Sequence, residues 1–160
     1  MSRCLNLTLA GEYAISSLSR LVLMSNGMSN GAAPATVSVE SLAAAQKIPP
    51  AFLSKILGQC AKAGIIRTKK GPRGGVALAR APENIPLLEI IEACEGSLAR
   101  DFCVFYTARR CEGPSCPVYC SLRKDEEELT GRLGRTTLAD MAESLRVHPD
   151  ARKPDVLGGH

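Results

Sequence analysis

The chain has 160 residues and a net charge of +4, and at 45% hydrophobic and 22% charged it carries enough apolar side chains to bury a core. Three Tyr, three Phe and no Trp are too few for a protein that stacks single-stranded nucleic acid on aromatic platforms. Its two histidines, His148 and His160, lie in the last thirteen residues, which speaks against a histidine-dependent triad, a zincin or a two-histidine zinc finger.

The apolar stretches are interrupted every few residues, by Glu12 and Arg20 in the first of them, so neither a membrane span nor a signal peptide is expected. The chain therefore reads as cytoplasmic. Seven cysteines in such a protein point to metal ligands or redox chemistry before structural disulfides. Residues 1–80 hold ten Lys/Arg against Glu12 and Glu40, for +8, whereas residues 81–160 hold ten against fourteen acids, for −4. A basic half joined to an acidic half fits a nucleic-acid-binding domain with a sensing or oligomerising region; an unevenly charged solvated surface is the plainer reading.

In chain order, residues 7–25 space Leu7, Ala10, Ala14, Leu18, Leu21 and Val22 by threes and fours, predicting an amphipathic helix that Asn26-Gly27 ends. Residues 26–36 are rich in Gly, Asn, Ser and Pro and read as a loop. Val37-Ser38-Val39 suits a short strand, with Ser38 capping a helix over 39–47 that Pro49-Pro50 stops. A second helix over 50–63 gathers Phe52, Leu53, Ile56, Leu57 and Cys60 on its apolar stripe, turns Ser54, Lys55, Gln59 and Lys62 away from it, and closes at Gly64. Two short helices joined by a tight turn are the pattern of a helix-turn-helix.

Two strands over 65–68 and 76–79 follow, with Lys69-Lys70-Gly71-Pro72-Arg73-Gly74-Gly75 between them, a basic, glycine-rich hairpin tip of the kind called a wing. The stretch is not a P-loop, since GxxxxGK[ST] is absent and no helix follows. Pro86 opens a helix with Leu87, Ile90, Ile91 and Cys94 on one face, Cys94 reading as a small buried hydrophobe. After a cysteine-bearing loop, Pro117 starts a long helix to about residue 133 with an acidic run at 125–128, and Thr136 or Thr137 caps a last short helix.

Cys103, Cys111, Cys116 and Cys120 fall within eighteen residues, spaced C-x7-C-x4-C-x3-C. Thiolates on a loop containing Gly113-Pro114 suit an iron-sulfur cluster; zinc on the same thiolates, a redox disulfide pair and unligated reduced cysteines stay open. The paired CxxC motifs of a zinc ribbon are absent. Arg109 and Arg110 beside Cys111 favour the thiolate in any of the reactive cases.

The stretches LTLAGEYAI, IPPAFLSKILGQCAKAGIIRTKKGPRGGVALAR, IPLLEIIEACEG, CEGPSCPV and TTLADM, spread in order over about residues 5–145, resemble the IscR/NsrR/RirA type of bacterial winged-helix transcription regulators, the Rrf-two family. The resemblance implies a mainly α fold with a small β-hairpin wing: a winged helix-turn-helix over 1–82, a cysteine-loop sensor and long dimerisation helix over 83–145, and a flexible tail over 146–160. It implies a homodimer on palindromic double-stranded promoter DNA, with an iron-sulfur cluster between each cysteine loop and the first helix of the partner.

Carried over by motif, the cluster's thiolates fall on Cys103, Cys111 and Cys116, and the fourth ligand on Glu12 or on Cys120; 2Fe-2S is favoured over 4Fe-4S. Tyr119 stands where one member has a ligating histidine. The base-reading positions fall on Ser54 and Lys55, with Gln59 and Lys62 following on the same helix, and the wing's minor-groove position on Lys70, flanked by Lys69 and Arg73. Lys55 is the first choice for direct readout, because an ammonium can donate to guanine O6 and N7. No catalysis is expected, since no acid-base pair with an orienting partner can be read off the chain. The alternatives are a cluster-free thiol or zinc sensor acting on DNA and an iron-sulfur carrier.

Overall fold

A computed structural model describes residues 7–25, 36–71, 74–98 and 117–148, with 117–122 described in backbone only. The first helix, α1 (Leu9–Met24), starts where Thr8 accepts the Gly11 backbone N–H at 3.3 Å, and buries Ala14, Leu18, Leu21 and Val22 as the apolar spacing predicts. It ends at Ser25, before the Asn26-Gly27 signal, when the Ser25 N–H bonds to the Leu21 carbonyl at 2.9 Å.

The next helix, α2 (Val39–Gln46), is capped by Ser38 as its sequence suggests, the hydroxyl accepting from the Ser41 N–H at 3.1 Å. It stops three residues before Pro49. Lys47 takes the left-handed conformation (φ 55°), and the Ile48 N–H reaches back to the Ala43 carbonyl at 3.0 Å while the Ile48 side chain is buried. This closure is normally given to glycine. Pro50 then occupies the first turn of α3 (Pro50–Lys62), which buries Leu53, Ile56, Leu57 and Cys60.

The wing is the antiparallel pair β1 (Ile66–Lys69) and β2 (Gly75–Leu78), one residue displaced from the predicted strands, with Ile66 opposite Leu78 and Lys69 opposite Gly75. Val37 makes a third rung instead of a separate strand: its N–H and carbonyl both bond to Val76, at 2.9 and 2.8 Å. Gly75 makes this contact possible, since at φ 152° a Cβ there would lie 2.2 Å from the Val37 carbonyl oxygen.

Beyond a 3-10 turn at Pro82–Asn84 come α4 (Leu87–Glu95), α5 (Pro117–Arg135) and α6 (Leu138–Val147). Thr137 caps α6 in a full capping box with Asp140, and Pro86 bridges to Thr137, setting the start of α4 beside the start of α6. Both helices pack on α1. One core therefore runs from Ala14, Leu18 and Leu21 through Leu53, Ile56, Ile65 and Val76 to Ile85, Ile90, Leu138 and Ala142. None of these helices is long and apolar enough to cross a membrane, among the described residues.

Candidate functional site

Burial of one side of α3 fixes what the other side offers. With Leu53, Ile56, Leu57 and Cys60 in the core, Ser54, Lys55 and Lys62 are exposed and Gln59 is half-buried, so the four predicted reading-helix residues lie away from the protein interior. The helix pair α2–α3 is held to α1 at two points. Tyr13 meets Phe52 edge to face, ring centroids 5.9 Å apart at 82°, an arrangement that contributes about 0.5–1.5 kcal/mol beyond its buried area. Ser16 and Gln46 exchange two hydrogen bonds of 2.9 Å, which hold the end of α2 against the same helix. Phe52, read in the sequence as part of the buried stripe, is half-buried because it reaches sideways to Tyr13.

The wing continues the same basic surface. Along β1 only Ile66 is buried; Arg67, Thr68 and Lys69 are exposed, as is Lys70 at the turn. Arg73 lies outside the described residues. Between Ser41 and Pro82 the chain has eight Lys or Arg and no Asp or Glu. Arg80 is the one of these neutralised by a described ion pair, with Glu89 on α4. Lys47, Lys55, Lys62, Arg67, Lys69 and Lys70 are all exposed, which gives a field suited to phosphate. Lys47 and Arg67 were not singled out by sequence reasoning, although the unbroken absence of acids around them was legible.

Glu12 stands in the first turn of α1 and is half-buried. The last turn of α4 is tied to that spot: Glu95 accepts from the Thr8 N–H at 2.8 Å and from the Thr8 hydroxyl at 3.0 Å. Gly11 leaves room for this carboxylate, whose oxygen would lie 2.2 Å from a Cβ there. Residue 96 then leads into the cysteine loop, so the root of that loop and Glu12 are at the same end of α1. Cys103, Cys111 and Cys116 lie outside the described residues, and Cys120 is described only as backbone in the first turn of α5. Among the described residues no three His, Cys, Asp or Glu side chains gather as a metal site.

A second cysteine arrangement went unread in the sequence. Cys60 of α3 is fully buried and Cys94 of α4 is half-buried, on two helices that pack against each other. Hydrogen bonding with Cys94, followed by burial, pushes the Cys60 thiol well above its ordinary pKa. The same bond draws Cys94 below its own, against opposing effects of burial and the Glu95 charge.

Comparison with known proteins agrees with this architecture. The family model Rrf2, described as an iron-dependent transcriptional regulator, matches residues 7–144. The HTH-type transcriptional regulator NsrR of Geobacillus kaustophilus is 31% identical over 107 residues, 66% of this chain and 73% of that one. Among solved structures, IscR of T. potens superposes with a TM-score of 0.66 at 26% identity, covering 94% of this chain and 95% of that one. CymR, the global cysteine regulator of B. subtilis, shares the fold with a TM-score of 0.69 at 20% identity, covering 88% and 98%. This chain belongs to the Rrf2 family of winged-helix transcriptional regulators.

Proposed function

We propose that the chain is a homodimeric regulator that binds double-stranded promoter DNA and senses iron-sulfur, redox or nitric oxide status through a cysteine-ligated cluster. The observation that carries the DNA half is the exposed face of α3 and the wing with the turn before α3, six accessible cations on a stretch without a single acid. In this reading residues 1–82 bind DNA and residues 83–145 sense and dimerise. Ser54 and Lys55 read base edges in the major groove, with Gln59 and Lys62 beside them, while Lys69, Lys70 and Arg73 contact phosphates or the minor groove.

Dimerisation is supported by α5. It is nineteen residues long, and none of its described side chains is buried, although Leu129 and Leu133 are half-buried. Beyond Leu133, which packs on the core, its described length leaves Leu129 and its neighbours for a second copy to cover.

The residues at hand suit an iron-sulfur cluster chemically. Cys103, Cys111 and Cys116 supply three thiolates, and the partner's first helix supplies Glu12, or the same loop Cys120, as the fourth donor. A bound cluster of the 2Fe-2S type supplies a centre reactive toward oxidants and nitric oxide. The protein's own part is transmission. Glu12 is followed by Tyr13, whose ring packs on Phe52 one residue before Leu53 and two before Ser54, so a shift of the first turn of α1 is felt by the reading helix.

The test is anaerobic purification with iron and sulfide assay, alongside binding to a duplex enriched from a random pool on the reduced protein. Lys55→Ala should weaken specific binding by about 1–3 kcal/mol while leaving the melting temperature unchanged. Glu12→Ala and Cys120→Ala identify the fourth donor by which of them alters the visible spectrum. A colourless protein that still binds the duplex would overturn the cluster and leave a thiol- or zinc-based regulator.

A further inference from the structure

The turn between α2 and α3 carries a side chain that the fold itself does not call for. Its backbone needs a left-handed residue at position 47, where φ is 55° and ψ 38°. Only so do the Lys47 and Ile48 N–H groups turn back onto the Ala44 and Ala43 carbonyls, at 3.2 and 3.0 Å, while Ile48 enters the core. Glycine takes that conformation freely, whereas an L side chain is held there against a clash of its Cβ with the backbone. Lys47 has nothing within the chain to offset this. Its side chain is exposed and enters none of the hydrogen bonds or ion pairs among the described residues.

A second observation points to what the ammonium meets. A helix start commonly holds phosphate through its backbone N–H groups, yet α3 is opened by Pro49 and Pro50, which have none. The Phe52 and Leu53 N–H groups are already used, both bonding to the Pro49 carbonyl at 3.0 Å. Of the first four residues of α3, only Ala51 keeps an N–H outside these bonds. The start of this helix therefore lacks an amide cradle, and the nearest donor of positive charge is Lys47, three residues before Pro50. Lys47, Pro49, Pro50 and Ala51 are all exposed, and that surface continues into Ser54 and Lys55.

We propose that Lys47 is a phosphate anchor for DNA binding, its ammonium pairing with a backbone phosphate beside the major groove in place of the amides that the two prolines remove. The proposal rests on α3 being the reading helix. A phosphate carries no base identity, so the anchor strengthens binding to every duplex alike, unlike Lys55, which meets base edges. A lysine kept in a left-handed turn then trades folding stability for affinity, and the two respond in opposite directions when it is replaced.

The test uses the full-length chain, purified anaerobically, carrying Lys47→Gly, Lys47→Asn or Lys47→Arg. Each is measured by thermal unfolding and by binding, over a range of salt, to the enriched duplex and to one of unrelated sequence. Lys47→Gly is expected to raise the melting temperature by about 2–4 °C, because the steric clash is gone. The same variant is expected to bind both duplexes about five- to tenfold more weakly at about 0.1 M salt, with the slope of log K against log salt shallower by about 0.9 per bound chain. Lys47→Asn, which tolerates the left-handed turn, should lose the same affinity, and Lys47→Arg should keep both affinity and slope. Unchanged affinity and slope in Lys47→Gly, a loss confined to the enriched duplex, or a loss that Lys47→Arg shares in full would overturn the anchor. A lowered melting temperature in Lys47→Gly would overturn it as well, by showing that the fold needs the lysine. Lys55→Ala keeps this proposal apart from the reading beneath it. If Lys55→Ala weakens the enriched duplex and Lys47→Gly weakens neither, only the anchor falls; if the chain binds no duplex, the DNA-binding reading falls and the anchor with it.

Discussion

The helices α3 and α5 show two ways in which one chain uses amphipathic sequence. In α3 every large apolar side chain except Phe52 is committed to the chain's own core, and the charges that remain outside are all cationic. In α5 the described side chains are exposed or half-buried, and charge is managed internally, by Arg123–Glu127 at 2.7 Å and by Arg132 with Glu128, both four residues apart. A helix whose charges are paired along its own surface presents little net field, and one with unpaired cations presents a strong one. The difference separates a surface with a strong positive field from one whose charges cancel along its own length.

That contrast can be broken at several points. The largest effect is expected from Ile56→Ala in α3, which empties a nearly fully buried position and should destabilise the chain by about 2–5 kcal/mol in denaturant unfolding. Leu129→Asp in α5 should instead leave the fold intact and weaken self-association by about 1–3 kcal/mol, through a carboxylate brought to an apolar contact; sedimentation over a concentration series checks it. Thr137→Ala removes the capping box of α6 and should cost about 1 kcal/mol, read by thermal unfolding. Arg123→Ala is expected to change stability by no more than about 0.5 kcal/mol, since both partners of its ion pair are mostly exposed, and what effect there is should vanish in high salt.

A pH experiment sharpens the same picture. Hydrogen bonds from the Thr137 backbone N–H and hydroxyl hold the Asp140 carboxylate below its ordinary pKa of 3.8. Because the folded pKa is the lower one, the unfolded chain takes up the proton first, so the cap stabilises α6 above about pH 4 and its contribution is lost as the pH falls below that. Amide protection in α6, taken relative to the intrinsic exchange rate at each pH, should fall over that range, and Asp140→Asn should remove the dependence.

Much of this was legible in local sequence, and the illegible parts share a cause. The buried stripe of α3, the Ser38 cap and the basic hairpin follow from spacing and turn chemistry within a few residues of each other. The stop of α2 did not, because Lys47 adopts a left-handed turn that a sequence reader assigns to glycine or waits to see at proline. The clamp of Glu95 on Thr8 spans 87 positions, and no periodicity reports it. Cys94 read as a buried hydrophobe because its helix face is apolar; the tertiary structure leaves it half-buried. On the site itself, Lys55, Lys62, Lys69 and Lys70 were named from residue type and register, whereas the anchoring of their helix through Tyr13 and Phe52 needed the tertiary structure.

The close passage of Gly75 over Val37 also bears on how such a wing can vary. Its base is joined by two backbone hydrogen bonds to the residue that leads into α2, and a methyl group at Gly75 would collide with the Val37 carbonyl. The strands below the tip are held in register, Ile66 opposite Leu78 and Lys69 opposite Gly75, by this attachment to the helix-turn-helix, so a change of hairpin length belongs between Lys69 and Gly75. Reach into DNA and attachment to the domain are thus independently adjustable, and a graft of a foreign tip at those two residues should keep the fold while changing what the wing touches.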